Sequence, residues 1–288
     1  MAIGVITKLS RAIASSFALL GAMWLDAALA RPPVAPPAIL PSPTPPLSPT
    51  SFQIPVLYVA VIFLVLDVAL WHLPGARVII NPFKLLTIGW HELCHVFVAL
   101  MTGGHILSVT IDPDLGGCTY VKGGHPPTIL AAGYLGSTLF GAGLMLGGWD
   151  ILAAKIVSFV IAVALAAPLV LVRDKITIIL TVIYECLLIG FWFIDHASAL
   201  RWYALFVGIM NVFYALWDFL DDRYFKKQND SDCTQFSLLY PKTKPHHWAI
   251  GWILWSCAIF VGFLLIGIAT LKRTQDQMFA EAATFLPT

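Results

Sequence analysis

Seven apolar stretches, each about the 20 residues needed to cross a hydrocarbon core, leave this chain little freedom of fold. They run from 54 to 72, 84 to 102, 128 to 149, 152 to 172, 175 to 194, 202 to 220 and 248 to 271. A bilayer offers no water to backbone N–H and C=O groups, so such stretches must close their hydrogen bonds internally, as helices. Composition agrees: 59% of the 288 residues are hydrophobic, 11% are charged and mean hydropathy is +0.83, against about 25% charged in ordinary soluble domains. The expected fold is an all-α polytopic membrane protein in contact with the lipid bilayer. A formal net charge of +1, with basic residues standing singly between spans, offers no attraction for nucleic acid, which is not an expected partner.

The ends read differently from the middle. Residues 1–30 carry Lys8 and Arg11, then an apolar run from Ala12 to Leu25, then Ala28-Leu29-Ala30, the pattern of a secretory signal with a small-residue cleavage site, shared by an uncleaved anchor and an organellar presequence. Residues 31–50 hold nine prolines, too many for helix or sheet, and form a linker. Residues 51–272 make the membrane domain, and 273–288 a polar C-terminal tail. Five cysteines without C-x-x-C spacing give no disulfide framework.

The second stretch is the least apolar, because it contains Trp90-His91-Glu92-Leu93-Cys94-His95. Residues four apart share a helix face, so His91 and His95 can offer two imidazoles to one zinc ion. Glu92 beside them can act as general base toward a water. Ionisable groups within a span cost on the order of 3 kcal/mol each, so three within five residues call for a compensating cation. Cys94 and Cys118 are also near, but hydrolytic zinc sites more often use histidine and carboxylate. Catalytic zinc takes three protein ligands, and the sixth stretch offers Asp218 from a separate helix. Asp221 and Asp222 follow at the start of a polar segment.

Ile106 to Ile111 alternates toward β structure, Asp112 to Gly117 is rich in turn residues, and Cys118 to Val121 can return as a second strand. An extended peptide can add to such an edge, which makes Val109 a candidate substrate contact and Asn211, polar within the sixth stretch, another. Gly133, Ser137 and Gly141 recur at intervals of four, a small-residue face that lets the third stretch pack close to the motif helix.

With His91-Glu92-Leu93-Cys94-His95 on a membrane helix, Gly103-Gly104 and a hairpin after it, and a later helix reading Asn-x6-Asp from Asn211 to Asp218, residues 84–222 resemble the site-2 proteases, intramembrane zinc metalloproteases. The resemblance implies zinc at His91 and His95, Glu92 as base, Asp218 as third ligand, and a membrane-embedded protein as substrate. The second half departs from the family pattern. Tyr214 stands where the family has proline, Phe219 where it has glycine, and the Asn-to-Asp spacing is one residue shorter. Asp218 also lies nearer its helix end than His91 does. The alternative is a non-enzymatic multi-pass protein with a structural metal site, used in binding or transport. For orientation, Lys and Arg concentrate in the loops on the side of 103–127, 173–174 and 221–247, which predicts that side to be cytosolic.

Overall fold

The computed structural model describes residues 47–73, 75–112, 116–170, 175–224 and 230–286. The expected signal segment and most of the proline-rich linker lie outside these residues.

Ten helices of eight residues or more are ordered as α1 Ile54–His72, α2 Asn81–Met101, α3 Pro126–Leu146, α4 Ile151–Ala166, α5 Lys175–Phe191, α6 Ala199–Val212, α7 Tyr214–Tyr224, α8 Asp232–Leu239, α9 Pro245–Thr270 and α10 Gln275–Phe285, among the described residues. Between α2 and α3, β1 His105–Asp112 pairs antiparallel with β2 Gly116–Lys122, so the hairpin forms where alternation and turn residues predict it. The fold is that of an all-α polytopic membrane protein carrying one small hairpin.

Burial separates inner from outer helices. The apolar window of α2 is 61% buried, that of α3 56%, but those of α1 and α9 only 22% and 17%. On α1 the buried residues Val56, Ala60, Asp67 and Trp71 fall on a single stripe at helical spacing, while Tyr58, Val61, Ile62 and Val65 are exposed on the outer face. At the centre α3 and α6 approach through glycine. A Cβ on Gly141 would stand 2.5 Å from Gly208 O, and one on Gly208 would stand 2.7 Å from Met145 N.

The span count differs from the seven expected. Among the described residues five helices are long and apolar enough to cross a membrane, and a sixth span results if α6 and α7 are taken together. The 175–194 stretch is the one that falls short: α5 has 17 residues, about 25 Å at 1.5 Å per residue, and turns away after Phe191.

The sixth span is broken even though no proline is present. α6 and α7 are bent by 53° at Phe213 (φ −96°, ψ 20°). A break frees carbonyls that a lipid environment would leave unsatisfied. Trp217 Nε1 donates to Met210 O at 2.9 Å and Thr138 Oγ1 to Val212 O at 3.4 Å. Trp217 also stacks on Trp71 of α1, with ring centroids 5.9 Å apart, and the ammonium of buried Lys84 lies 5.0 Å over the Trp71 ring.

The segment 273–288, expected as a polar tail, holds α10. Thr274 and Gln277 form a capping box at its start, and Met278 and Ala282 are buried. Buried Lys155 of α4 donates its Nζ to Ala282 O at 3.1 Å and to Leu286 O, which ties the C-terminal helix to the membrane domain.

Candidate metal centre and cleft

α2 carries His91, Glu92 and His95 to the middle of the bundle, where they are 3%, 4% and 5% exposed. Room for the imidazoles comes from Gly133 of α3, whose Cβ would collide with both rings. The small-residue face of α3 thus divides its work: Gly133 admits the histidines, Gly136 packs on Cys94, and Gly141 meets α6.

Hydrogen bonds fix the tautomers. His95 Nδ1 lies 2.7 Å from Ile129 O, and a carbonyl only accepts, so Nδ1 carries the proton and Nε2 the lone pair. Ser137 Oγ gives its own proton to Gly133 O at 2.8 Å and lies 3.4 Å from His91 Nδ1. It therefore accepts from that nitrogen, and His91 Nε2 is also left with a lone pair. The two Nε2 atoms are 2.9 Å apart.

The carboxylate found against both imidazoles is Asp232, whereas the sequence pointed to Asp218. Asp232 Oδ2 lies 2.9 Å from His91 Nε2 and 3.1 Å from His95 Nε2, is inaccessible to solvent, and finds no well-directed hydrogen bond among the described residues. Burial works to raise the Asp232 pKa, but charge and hydrogen bonding at His95 and His91 lower it well below the ordinary carboxylate range, so the carboxylate is held ionised by a positive charge beside it. Three ligand-type atoms converge here, and with both imidazoles in the Nδ1–H form that positive charge is one that a bound cation supplies. A triangle of edges 2.9, 2.9 and 3.1 Å has corners about 1.7 Å from its centre, which is compatible with zinc bonds of about 2.0–2.2 Å to nitrogen and oxygen. The donors present fit zinc.

The three aspartates of α7 are engaged elsewhere. Asp218 accepts from Tyr134 Oη at 2.6 Å and from Tyr214 Oη at 3.4 Å, and both tyrosine rings pack against His91, at 5.1 and 4.6 Å. Asp221 accepts from Trp71 Nε1 at 2.8 Å. Asp222 Oδ2 receives Ser231 N, Ser231 Oγ and Thr234 Oγ1 at 3.1, 2.6 and 2.8 Å. Ser231 is the N-cap of α8, so Asp222 anchors the helix whose first residue is Asp232. The other flank of α8 is held by Phe236 stacked on Trp248 of α9 at 4.4 Å. A serine followed by an acidic first turn is a helix-start signal. It marks Asp232 as a carboxylate on a helix N-terminus rather than in a loop, and the sequence reading passed over it.

Glu92 stands beside this set. Its carboxylate and the two imidazoles place one ligand-type atom each within 4.8 Å of one another, so Glu92 borders the same metal position. Its Oε2 accepts from Thr119 Oγ1 of β2 at 2.6 Å, and a Cβ on Gly117 would meet its carboxyl carbon at 2.6 Å. A cleft of about 330 Å³ opens here, walled by β2 from Gly117 to Tyr120, by Ile129 and Leu130 of α3, and by Asp230, Asp232 and Gln235. Neither expected substrate contact lies on it. Val109 belongs to β1, whose residues do not line the cleft. Asn211 is fully buried in α6, with Nδ2 donating to Val207 O at 2.8 Å. Of the two cysteines near the motif, Cys118 lines the cleft and Cys94 faces Gly136; neither joins the metal set.

Comparison with protein families gives a match to the Peptidase M50B-like model over residues 56–263. Comparison with curated proteins and with solved structures gives no match. The matched region is well over half of the chain, and it contains the motif helix, the hairpin and Asp232. The chain belongs to the Peptidase M50B-like family, a site-2 protease-like family of membrane metalloproteases.

Proposed function

We propose that this protein is a zinc-dependent intramembrane endopeptidase that hydrolyses peptide bonds of membrane-embedded proteins. The observation that carries the reading is the convergence of His91 Nε2, His95 Nε2 and Asp232 Oδ2 beside a carboxylate, Glu92, that lines a cleft without being one of the three. His91, His95 and Asp232 would hold the metal. Zinc, when bound, supplies the Lewis acid that acidifies a water and polarises a carbonyl.

The chain's own residues supply the rest. Glu92 takes the proton of the attacking water and passes it to the leaving amine nitrogen, which is the part of a general base that becomes a general acid. Ile129 and Ser137 keep the two imidazoles in the tautomers that present Nε2. The aspartate offsets one positive charge of a divalent ion inside the bundle, where charge is expensive. A substrate segment must be extended to expose its carbonyl, and the lining of the cleft by β2 supports a path along that strand rather than along β1.

Metal analysis of purified protein tests the ligand set. His91→Ala and Asp232→Asn should lose stoichiometric zinc, and Asp218→Asn should keep it. Zinc retained in Asp232→Asn but lost in Asp218→Asn would restore the ligand expected from the sequence. Activity is tested in proteoliposomes carrying a pool of single-span membrane proteins, with mass spectrometry reading new chain termini. Glu92→Gln should bind zinc and produce none. Equal termini from wild type and Glu92→Gln would favour a structural metal site.

A further inference from the structure

The geometry points to Thr119 as a positioning residue for the general base: its hydroxyl aims the Glu92 carboxylate toward the attacking water. The inference deepens the reading above and rests on it.

Glu92 leaves α2 next to His91, and nothing on its own helix fixes where its two oxygens point. The carboxylate is instead gripped from outside the helix, by the hairpin. Thr119 Oγ1 donates to Oε2 at 2.6 Å, a short and well-formed hydroxyl hydrogen bond. Two residues earlier on the same face of β2, Gly117 lies so close that any side chain there would overlap the Glu92 carboxyl. One residue pulls on one oxygen, and the other leaves room for its mate. Thr119 holds Oε2 and Oε1 lies against the Gly117 backbone, so the strand fixes the orientation of the whole carboxylate.

The strand is well placed to hold that aim. Across the ladder Thr119 pairs with Val109 and Gly117 with Ile111, and the hairpin packs back on α2. The base is therefore oriented by an element outside the metal set, and removing the hydroxyl should spare the metal while loosening the base.

The experiment uses full-length zinc-loaded protein in detergent and acetohydroxamate as probe. This ligand chelates zinc and gives up a proton to a neighbouring carboxylate, so its affinity reports on Glu92 without a substrate. Thr119→Val keeps the β-branched shape and loses the donor; Thr119→Ser keeps the donor. Losing a hydrogen bond to a charged group corresponds to on the order of ten-fold or more. Thr119→Val should weaken hydroxamate about ten-fold with zinc content unchanged, Thr119→Ser should restore most of it, and Thr110→Val, an exposed threonine on β1, should behave as wild type. Where cleavage is measurable, kcat falls in Thr119→Val and KM does not. Hydroxamate affinity unchanged in Thr119→Val, with Glu92→Gln clearly weakened, overturns the assignment of Thr119 alone. Affinity unchanged in Glu92→Gln overturns the base itself, and the assignment of Thr119 with it. Equal weakening by Val and Ser would make the effect one of packing and would also refute it.

Discussion

Gly133→Ala is the sharpest perturbation of the metal centre that touches neither a ligand nor a charge. The added Cβ would stand 2.5 Å from His91 Nε2 and 2.5 Å from His95 Cε1, whereas favourable heavy-atom contacts lie at about 3.5 Å or beyond. Something must move by about 1 Å. α3 has little room to retreat, because Gly141 on the same helix already touches the α6 backbone. The imidazoles must yield, and metal sites tolerate only about 0.2 Å in ligand distance. Zinc affinity should fall at least ten-fold, a loss of about 1.4 kcal/mol. Overpacking costs about 1–3 kcal/mol, and replacing a helical glycine by alanine returns about 1 kcal/mol, so fold stability should drop by no more than about 2 kcal/mol. Gly143→Ala, on the same helix with nothing within 4 Å of its Cβ position, is the matched control and should bind zinc as wild type does. Competition with a chromophoric chelator reads both. Wild-type zinc affinity in Gly133→Ala would refute the placement of the imidazoles against α3.

Three further outcomes are expected. Asp222→Asn weakens the anchor of α8 and should lower zinc affinity about ten-fold, measured by the same competition; unchanged affinity would mean that the Phe236–Trp248 stack suffices to seat Asp232. Gly117→Ala should keep its zinc and lose most cleavage, because the new methyl collides with Glu92 on the wall away from the imidazoles; loss of zinc instead would count against separate walls. Trp217→Phe leaves the Met210 carbonyl without its donor at the bend, which should cost about 1–3 kcal/mol as a lower melting temperature; an unchanged value would show that the break does not depend on that bond.

The motif helix, the hairpin and most spans were legible in the sequence because each depends on local pattern: four-residue spacing for His91 and His95, a tendency to alternate from Leu107 to Ile111 followed by turn residues, and length for the apolar runs. The carboxylate that the fold brings against the two imidazoles was not. Asp218, Asp221 and Asp222 share a helix face by spacing and looked alike, and only three-dimensional partners distinguish them: two tyrosines for the first, Trp71 for the second, the cap of α8 for the third. Asp232 gained its place through tertiary packing of an eight-residue helix, which no periodicity announces. The offset in depth between Asp218 and His91 was a readable warning, and the structure resolves it by bringing the ligand in on a separate short helix. The bend at Phe213 was hidden for a related reason. The family's proline is missing, and the freed carbonyls are answered by Trp217 and Thr138, a solution written in contacts rather than in a breaker residue.

The position of Asp232 along the chain also sets when the protein can become an enzyme. During synthesis α2 enters the membrane early, with two histidines and a glutamate but no third ligand. Asp232 is translated only after α7, and α8 has nothing to stack on until Trp248 follows it. While the chain is being inserted among other unpacked transmembrane segments, the carboxylate that meets the two imidazoles has not yet arrived. On the function proposed above, hydrolytic competence arrives with the last long helix, and the order of translation itself protects neighbouring nascent chains.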